Sequence, residues 1–159
     1  EPTEVGVRTI KWSPFAPKGV MDAVYLPGAT YFFPALLNDW HTFDTKLQNV
    51  EMTFDPNRGD RQHRDDLLFK TIDGNDISLD VIVSYRIDPE KAPIIVQYVG
   101  TTDFELKDKV VRTVARSKPR DVFGELKTEE FYVSDKREEK AERVKAKLNE
   151  FMTPYVIIV

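Results

Sequence analysis

Residues 66–88, DLLFKTIDGNDISLDVIVSYRID, constrain this chain more than any other stretch. Ile77, Leu79, Val81, Val83, Tyr85 and Ile87 fall on alternate positions, with Ser78, Asp80, Ser84 and Arg86 between them and Ile82 as the one apolar exception. A strand turns successive side chains to opposite faces, so this pattern predicts one buried and one wet face. Asp73-Gly74-Asn75-Asp76 supplies residues that tolerate positive φ, as a tight hairpin turn demands. Asp88-Pro89-Glu90 follows as a helix-start signal. The stretch therefore predicts a β-hairpin that sits in a sheet and hands the chain on to a helix.

With 159 residues the chain has room for one domain with a substantial core. Its 41% hydrophobic and 31% charged residues are a globular composition. A net charge of -4 argues against nucleic acid as a main partner, because no basic excess is available to neutralise phosphates. The lack of cysteine excludes disulfides, thiol catalysis and thiolate metal sites. No apolar run approaches the roughly 20 residues that span a bilayer. The chain opens on Glu1, has its methionines at 21, 52 and 152, and closes on the apolar run Tyr155-Val156-Ile157-Ile158-Val159. Such an exposed edge leads us to expect a piece of a longer protein, with chain on both sides.

In order, Val5, Val7 and Ile10 mark a first strand, and Val20–Leu26 a second. The loop between them carries Trp12 and Phe15 among two prolines. Tyr31-Phe32-Phe33-Pro34-Ala35-Leu36-Leu37 is the densest apolar patch of the first half, read either as core or as a surface that dips into a membrane interface. Phe43–Phe54 predicts one long strand with a bulge near Gln48-Asn49, where the apolar positions change parity. Residues 55–66 are almost all polar and predict a solvated loop. Ile94, Ile95, Tyr98 and Val99 follow at helical spacing until Gly100, and Thr102-Asp103-Phe104-Glu105 is a capping box for a helix that Pro119 is expected to stop. A short helical piece then covers the region from Arg120 to Leu126. Ser134 or Asp135 caps a long helix to about Phe151, with Ala141, Val144, Leu148 and Phe151 as its apolar stripe and mixed charges elsewhere. Pro154 ends it and a last strand begins. The expected class is α+β: an antiparallel, twisted sheet covered by helices, with the long helix followed by a closing strand.

The order of these signals resembles the stomatin/prohibitin/flotillin (SPFH, or band 7) domain over almost the whole chain. Glu4-Val5-Gly6-Val7-Arg8 is similar to its opening strand, and Leu26-Pro27-Gly28-Ala29-Thr30-Tyr31-Phe32 to its Pro-Gly turn. Phe43-Asp44-Thr45-Lys46 resembles its Asp-x-Arg strand, with Lys46 in place of arginine. Thr71–Val81 and Ser84-Tyr85-Arg86-Ile87 resemble its most recognisable segment, and Val111-Arg112 with the charged helix its second half. The closing strand lacks the family's glycine. The resemblance implies a membrane anchor before this domain and a coiled coil after it. It also implies a non-enzymatic scaffold that forms homo- or hetero-oligomers of SPFH subunits. Its partners would be membrane lipid and a membrane protease or channel, with no cofactor; it would organise membrane microdomains.

Against that expectation, Trp12, Phe15, Tyr31, Phe32, Phe33, Leu36 and Leu37 are the candidate membrane-proximal residues, and Arg137, Glu138 and Arg143 the candidate intersubunit contacts. The other readings are a soluble adaptor that docks a client without touching lipid, and a hydrolase using the Asp-rich loop. His63 among Asp60, Asp65 and Asp66 is a conceivable carboxylate–imidazole metal cluster, but the loop offers no regular spacing to fix its ligands, so no metal site is assigned. Asp73 and Asp76 flank a turn that already accounts for them, and Arg58-Gly59-Asp60 reads as a chance tripeptide. No nucleophile elbow, phosphate loop or zinc signature is present.

Overall fold

The run from Ile77 to Ile87 alternates as expected, but it serves two sheets. In the computed structural model, which describes residues 3–159, it divides at Asp80 into β6 (Asp76–Leu79) and β7 (Val81–Ile87). β6 closes the hairpin with β5 (Leu67–Lys70), pairing Leu67 with Leu79 and Lys70 with Asp76. β7 lies at the centre of a second sheet, between β4 (Gln48–Met52) and β8 (Val156–Ile158). The break is held by Asp80, whose carboxylate accepts the Phe54 N–H at 2.7 Å. Gly74 supplies the positive φ of the turn, +87°. The turn's Asp73 also reaches beyond it, accepting the Thr128 N–H and hydroxyl at 3.1 and 3.0 Å and so capping a distant helix.

A third sheet, in the order β2-β1-β3, contains β1 (Glu4–Ile10), β2 (Gly19–Tyr25) and β3 (Asn38–Asp44). The single bulged strand expected over 43–54 is therefore two strands in two sheets: β3 pairs with β1, and β4 pairs with β7. The change of parity is real, but its cause is a joint at residues 45–47. Lys46 N–H bonds Asp44 Oδ1 at 2.9 Å, Gln48 Nε2 donates to the Asp44 carbonyl at 3.0 Å, and the Asp44 N–H points to the Asp103 carboxylate at 3.3 Å. Burial pushes the Asp103 carboxyl above its ordinary range, while the Asp44 and Gln48 donors pull the other way. All the sheets are antiparallel and share one core with the helices, including Val5, Val7, Phe43, Val50, Leu67, Tyr85 and Ile87.

Asp88 caps the entry to the helices as expected, accepting the Glu90 N–H at 3.2 Å, and one 3-10 turn leads into α1 (Ala92–Tyr98). Ala92, Pro93 and Ile95 face the core, and Tyr98 is exposed. The Thr102 hydroxyl accepts the Glu105 N–H at 3.2 Å, while Glu105 reaches back to the Thr101 N–H at 2.8 Å. The helix α2 that begins there runs on over 103–123, and Pro119 does not stop it. Pro119 is buried inside it, against the next long helix, so packing offsets the lost hydrogen bond. α2 also contains a π-helical turn, Lys107–Val111, which shifts the register of everything after it. Then come the single turn α3 (Thr128–Phe131) and α4 (Ser134–Met152). Neither Ser134 nor Asp135 caps α4: Val133 is its N-cap, with no side-chain bond. Its buried stripe keeps Val144 and Leu148 of the expected one and ends on Met152, while Ala141 and Phe151 stay exposed. β8 then returns antiparallel to β7.

The polar stretch 55–66 is not simply solvated. Asp60 accepts the Glu51 N–H at 3.0 Å, and the Asp65 N–H donates to the Thr53 carbonyl at 2.9 Å, so the loop folds back along β4. Arg112 binds Asp60 through Nη2 at 2.8 Å and Asp65 through Nη1, and Arg116 binds Asp65. Lys107 holds Asp60 at 2.7 Å. The acid of Arg58-Gly59-Asp60 is thus occupied within the fold, and the Asp-rich loop is a clamp onto α2. Asp66 is buried beneath Arg64, which grips it at 2.6 and 3.0 Å, and the Ser78 hydroxyl donates to it at 2.6 Å. The Arg64 and Ser78 bonds hold the Asp66 carboxyl at about 2, against an ordinary 3.8. A depressed carboxyl pKa stabilises the fold fully above about 3.8, and that contribution is lost as pH falls towards 2. Thermal melts taken from neutral pH downward should therefore show wild type losing stability over this interval, with D66N losing less; parallel curves would contradict the assignment.

Candidate functional site

The candidate surface is built on the three-stranded sheet. Along β1, Val5 and Val7 turn to the core, and Gly6 and Arg8 turn to the opposite face. Register places Gly6 between Tyr25 of β2 and Thr42 of β3, and Arg8 beside Trp40. A Cβ on Gly6 would lie 2.0 Å from the Trp40 ring, so glycine is what lets the indole lie flat across the strand.

The 26–37 connection leaves β2 at the level of Gly6 and enters β3 opposite Ile10, so it crosses this outer face. Its aromatics close over the sheet. Tyr25 meets Tyr31, Phe33 and Trp40 edge-on, with centroids 4.9, 5.3 and 5.2 Å apart. Phe33 stacks on Trp40 at 5.6 Å, and the Arg8 guanidinium lies over the Phe33 ring at 4.4 Å. Arg8 is fixed by Asn38 Oδ1 at 2.7 Å, and Asn38 in turn donates to the Pro34 carbonyl at 2.9 Å. The Lys11 N–H binds the Leu37 carbonyl at 2.9 Å, joining the start of the 11–18 loop to the end of the connection. The Ser13 hydroxyl orders that loop by accepting the N–H groups of Phe15 and Ala16.

The seven predicted membrane-proximal residues are brought to one sheet but play different parts. Phe33 is half-buried in the aromatic stack and Tyr31 packs on Tyr25 and Trp40, so these two are framework, whereas Leu37 is tied to the sheet through its backbone and leaves its side chain partly exposed. Phe15, Phe32 and Leu36 are 97%, 90% and 91% exposed, and Trp12 is 56% exposed. Large apolar side chains held in water on a braced scaffold are what the arrangement offers a ligand surface. Gly6, Arg8, Tyr25 and Trp40 were not anticipated, because only the strand register aligns them; the Gly6/Arg8 alternation was the one local sign.

Arg137, Glu138 and Arg143 lie on α4, which packs chiefly on α2, α3 and β8. Arg137 and Glu138 are exposed, and Arg143 pairs with Glu125 at 2.5 Å. Glu125 also holds Lys140 at 2.6 Å. His63 is exposed, and His41 sits half-buried in β3 opposite Val7. Among the described residues, no group of three or more histidine and acidic side chains is arranged to hold a metal ion, and no helix is long and apolar enough to cross a membrane. No curated protein matches the chain. The SPFH domain / Band 7 family, however, matches residues 1–159, its whole length, and the chain belongs to that family.

Proposed function

We propose that this domain is a non-enzymatic membrane-associated scaffold that seats the outer end of its three-stranded sheet in the lipid interface. The carrying observation is that Phe15, Phe32 and Leu36 are almost fully exposed on a surface whose framework residues are locked by stacking and hydrogen bonds. A rigid platform loses little conformational entropy when its apolar tips enter lipid, so burial of those tips goes into binding. Family membership supports the same reading, since SPFH domains are membrane-associated and generally non-enzymatic. In this proposal copies assemble side by side, with Arg137, Glu138 and Arg143 on the open face of α4 meeting a neighbouring copy. The assembly organises membrane microdomains and regulates membrane proteins such as proteases.

Flotation with phosphatidylcholine vesicles tests the lipid step. The wild-type protein should float, and F15S/F32S/L36S should remain in the dense fraction with an unchanged circular-dichroism melt. Burial of one such side chain is worth on the order of one tenfold step in partitioning, so three should cost about 100-fold or more. A triple variant that floats like wild type would end this reading. A wild-type protein that captures a client without floating would favour the soluble-adaptor alternative.

A further inference from the structure

Away from the aromatic sheet, arginine is concentrated on one side of α2. After the π-helical turn, Arg112, Arg116 and Arg120 recur every fourth residue, so they form one ridge along the helix, with Thr113 beside it. Arg61 reaches over from the 53–66 loop, and these side chains line an open cleft of about 390 Å³ together with Ser117 and Asp108.

The charges within this cluster do not balance. Lys107, Arg61, Arg112, Arg116 and Arg120 face Asp60, Asp65 and Asp108: five cations against three carboxylates, which leaves two positive charges over. The inner guanidinium is consumed by the fold: Arg112 is 5% exposed and spends both terminal nitrogens on Asp60 and Asp65. Arg61 reaches Asp108 at 2.7 Å through Nη2. Arg116 gives only Nη2 to Asp65, so its Nε and Nη1 remain for something else. Arg120 is exposed and has no ion pair among the described residues. A network built only to hold the loop would not need Arg120, nor a half-used Arg116.

We propose that this cleft binds a phosphate monoester dianion. Two unbalanced charges match a dianion; the free Arg120 guanidinium offers a fork, which suits phosphate oxygens that take paired N–H donors, and Arg116 adds single N–H donors from Nε and Nη1. The Thr113 hydroxyl stands alongside as a neutral donor. A long polyanion is disfavoured, because the chain as a whole carries a net charge of -4 and the basic area is confined to one cleft. The phosphate comes either from a small soluble ester or from a phosphorylated lipid headgroup. The inference does not depend on the aromatic surface.

Inorganic phosphate is the first probe, titrated at constant ionic strength against chloride and followed by backbone amide NMR. Residues 112–120 should shift and saturate with phosphate but not with chloride. R120Q removes a charge that has no ion pair among the described residues, so the melt should be unchanged while phosphate binding weakens about tenfold, the cost of a charge-assisted hydrogen bond. Flotation of F15S/F32S/L36S on vesicles carrying phosphatidylinositol phosphate, compared with phosphatidylserine, separates the sources. Flotation on the former alone, abolished by R120Q, identifies a lipid headgroup. Saturable binding of free phosphate that depends on Arg120, without such flotation, identifies a soluble ester. Non-saturating shifts, or R120Q binding phosphate like wild type, would overturn the proposal.

Discussion

R112M should destabilise the protein by about 3–5 kcal/mol, the usual cost of removing one member of a buried ion cluster. The Arg112 guanidinium is nearly sealed from water and is the shared partner of Asp60 and Asp65. Methionine fills much of its volume but leaves the buried Asp65 carboxylate facing Arg116 and the more distant Arg61, 3.8 Å away. Against a typical domain stability of roughly 5–15 kcal/mol this is a large fraction, and the melting temperature should fall by roughly 10 °C. Combining D65N with R112M should restore part of the loss, because the stranded charge is then gone. Urea unfolding of the four proteins checks the cycle. Equal stability of R112M and wild type would mean that the network is solvated in practice.

F43A should cost a similar amount, about 3–5 kcal/mol, for a different reason. Phe43 is fully buried and is the last inward side chain of β3 before the chain crosses at 45–47 to the second sheet. Its ring is part of the single core that both sheets share with the helices. Truncation opens a cavity beside the joint, which is held by bonds linking Asp44 to Asp103 and Gln48 and by the Thr45 N–H to the Thr3 carbonyl just before β1. Hydrogen exchange should therefore accelerate more in β1–β3 than in β4, β7 and β8, in addition to the global loss. A uniform increase over all the strands would show that the sheets unfold as one unit.

These two variants separate what is local in the chain from what is not. The hairpin turn, the alternation from Ile77 to Ile87, the Asp88 and Thr102 caps and the helical content were readable because each depends on neighbours a few residues away. The exposed apolar loops were readable too, since seven large apolar side chains are concentrated in two short segments, 12–15 and 31–37. Sequence and structure part wherever a distant partner decides. Asp80 and the 45–47 joint look like ordinary strand positions until the pairing of β4 with β7 and β3 with β1 is known. Pro119 stops a helix by propensity, and burial against α4 overrides it.

By itself, then, the sequence determined the α+β class, the family likeness and the apolar first third, because periodicity and composition act within one segment. The tertiary structure decided which of those apolar residues are framework and which face water, since only the register that sets Gly6 under Trp40 draws Tyr31 and Phe33 into the stack and leaves Phe15, Phe32 and Leu36 outside. It also turned the polar 55–66 stretch from a loop into a clamp. Charge partners more than forty residues apart, such as Asp65 and Arg112 at a separation of 47, meet only when the chain has folded, so no local pattern announces them.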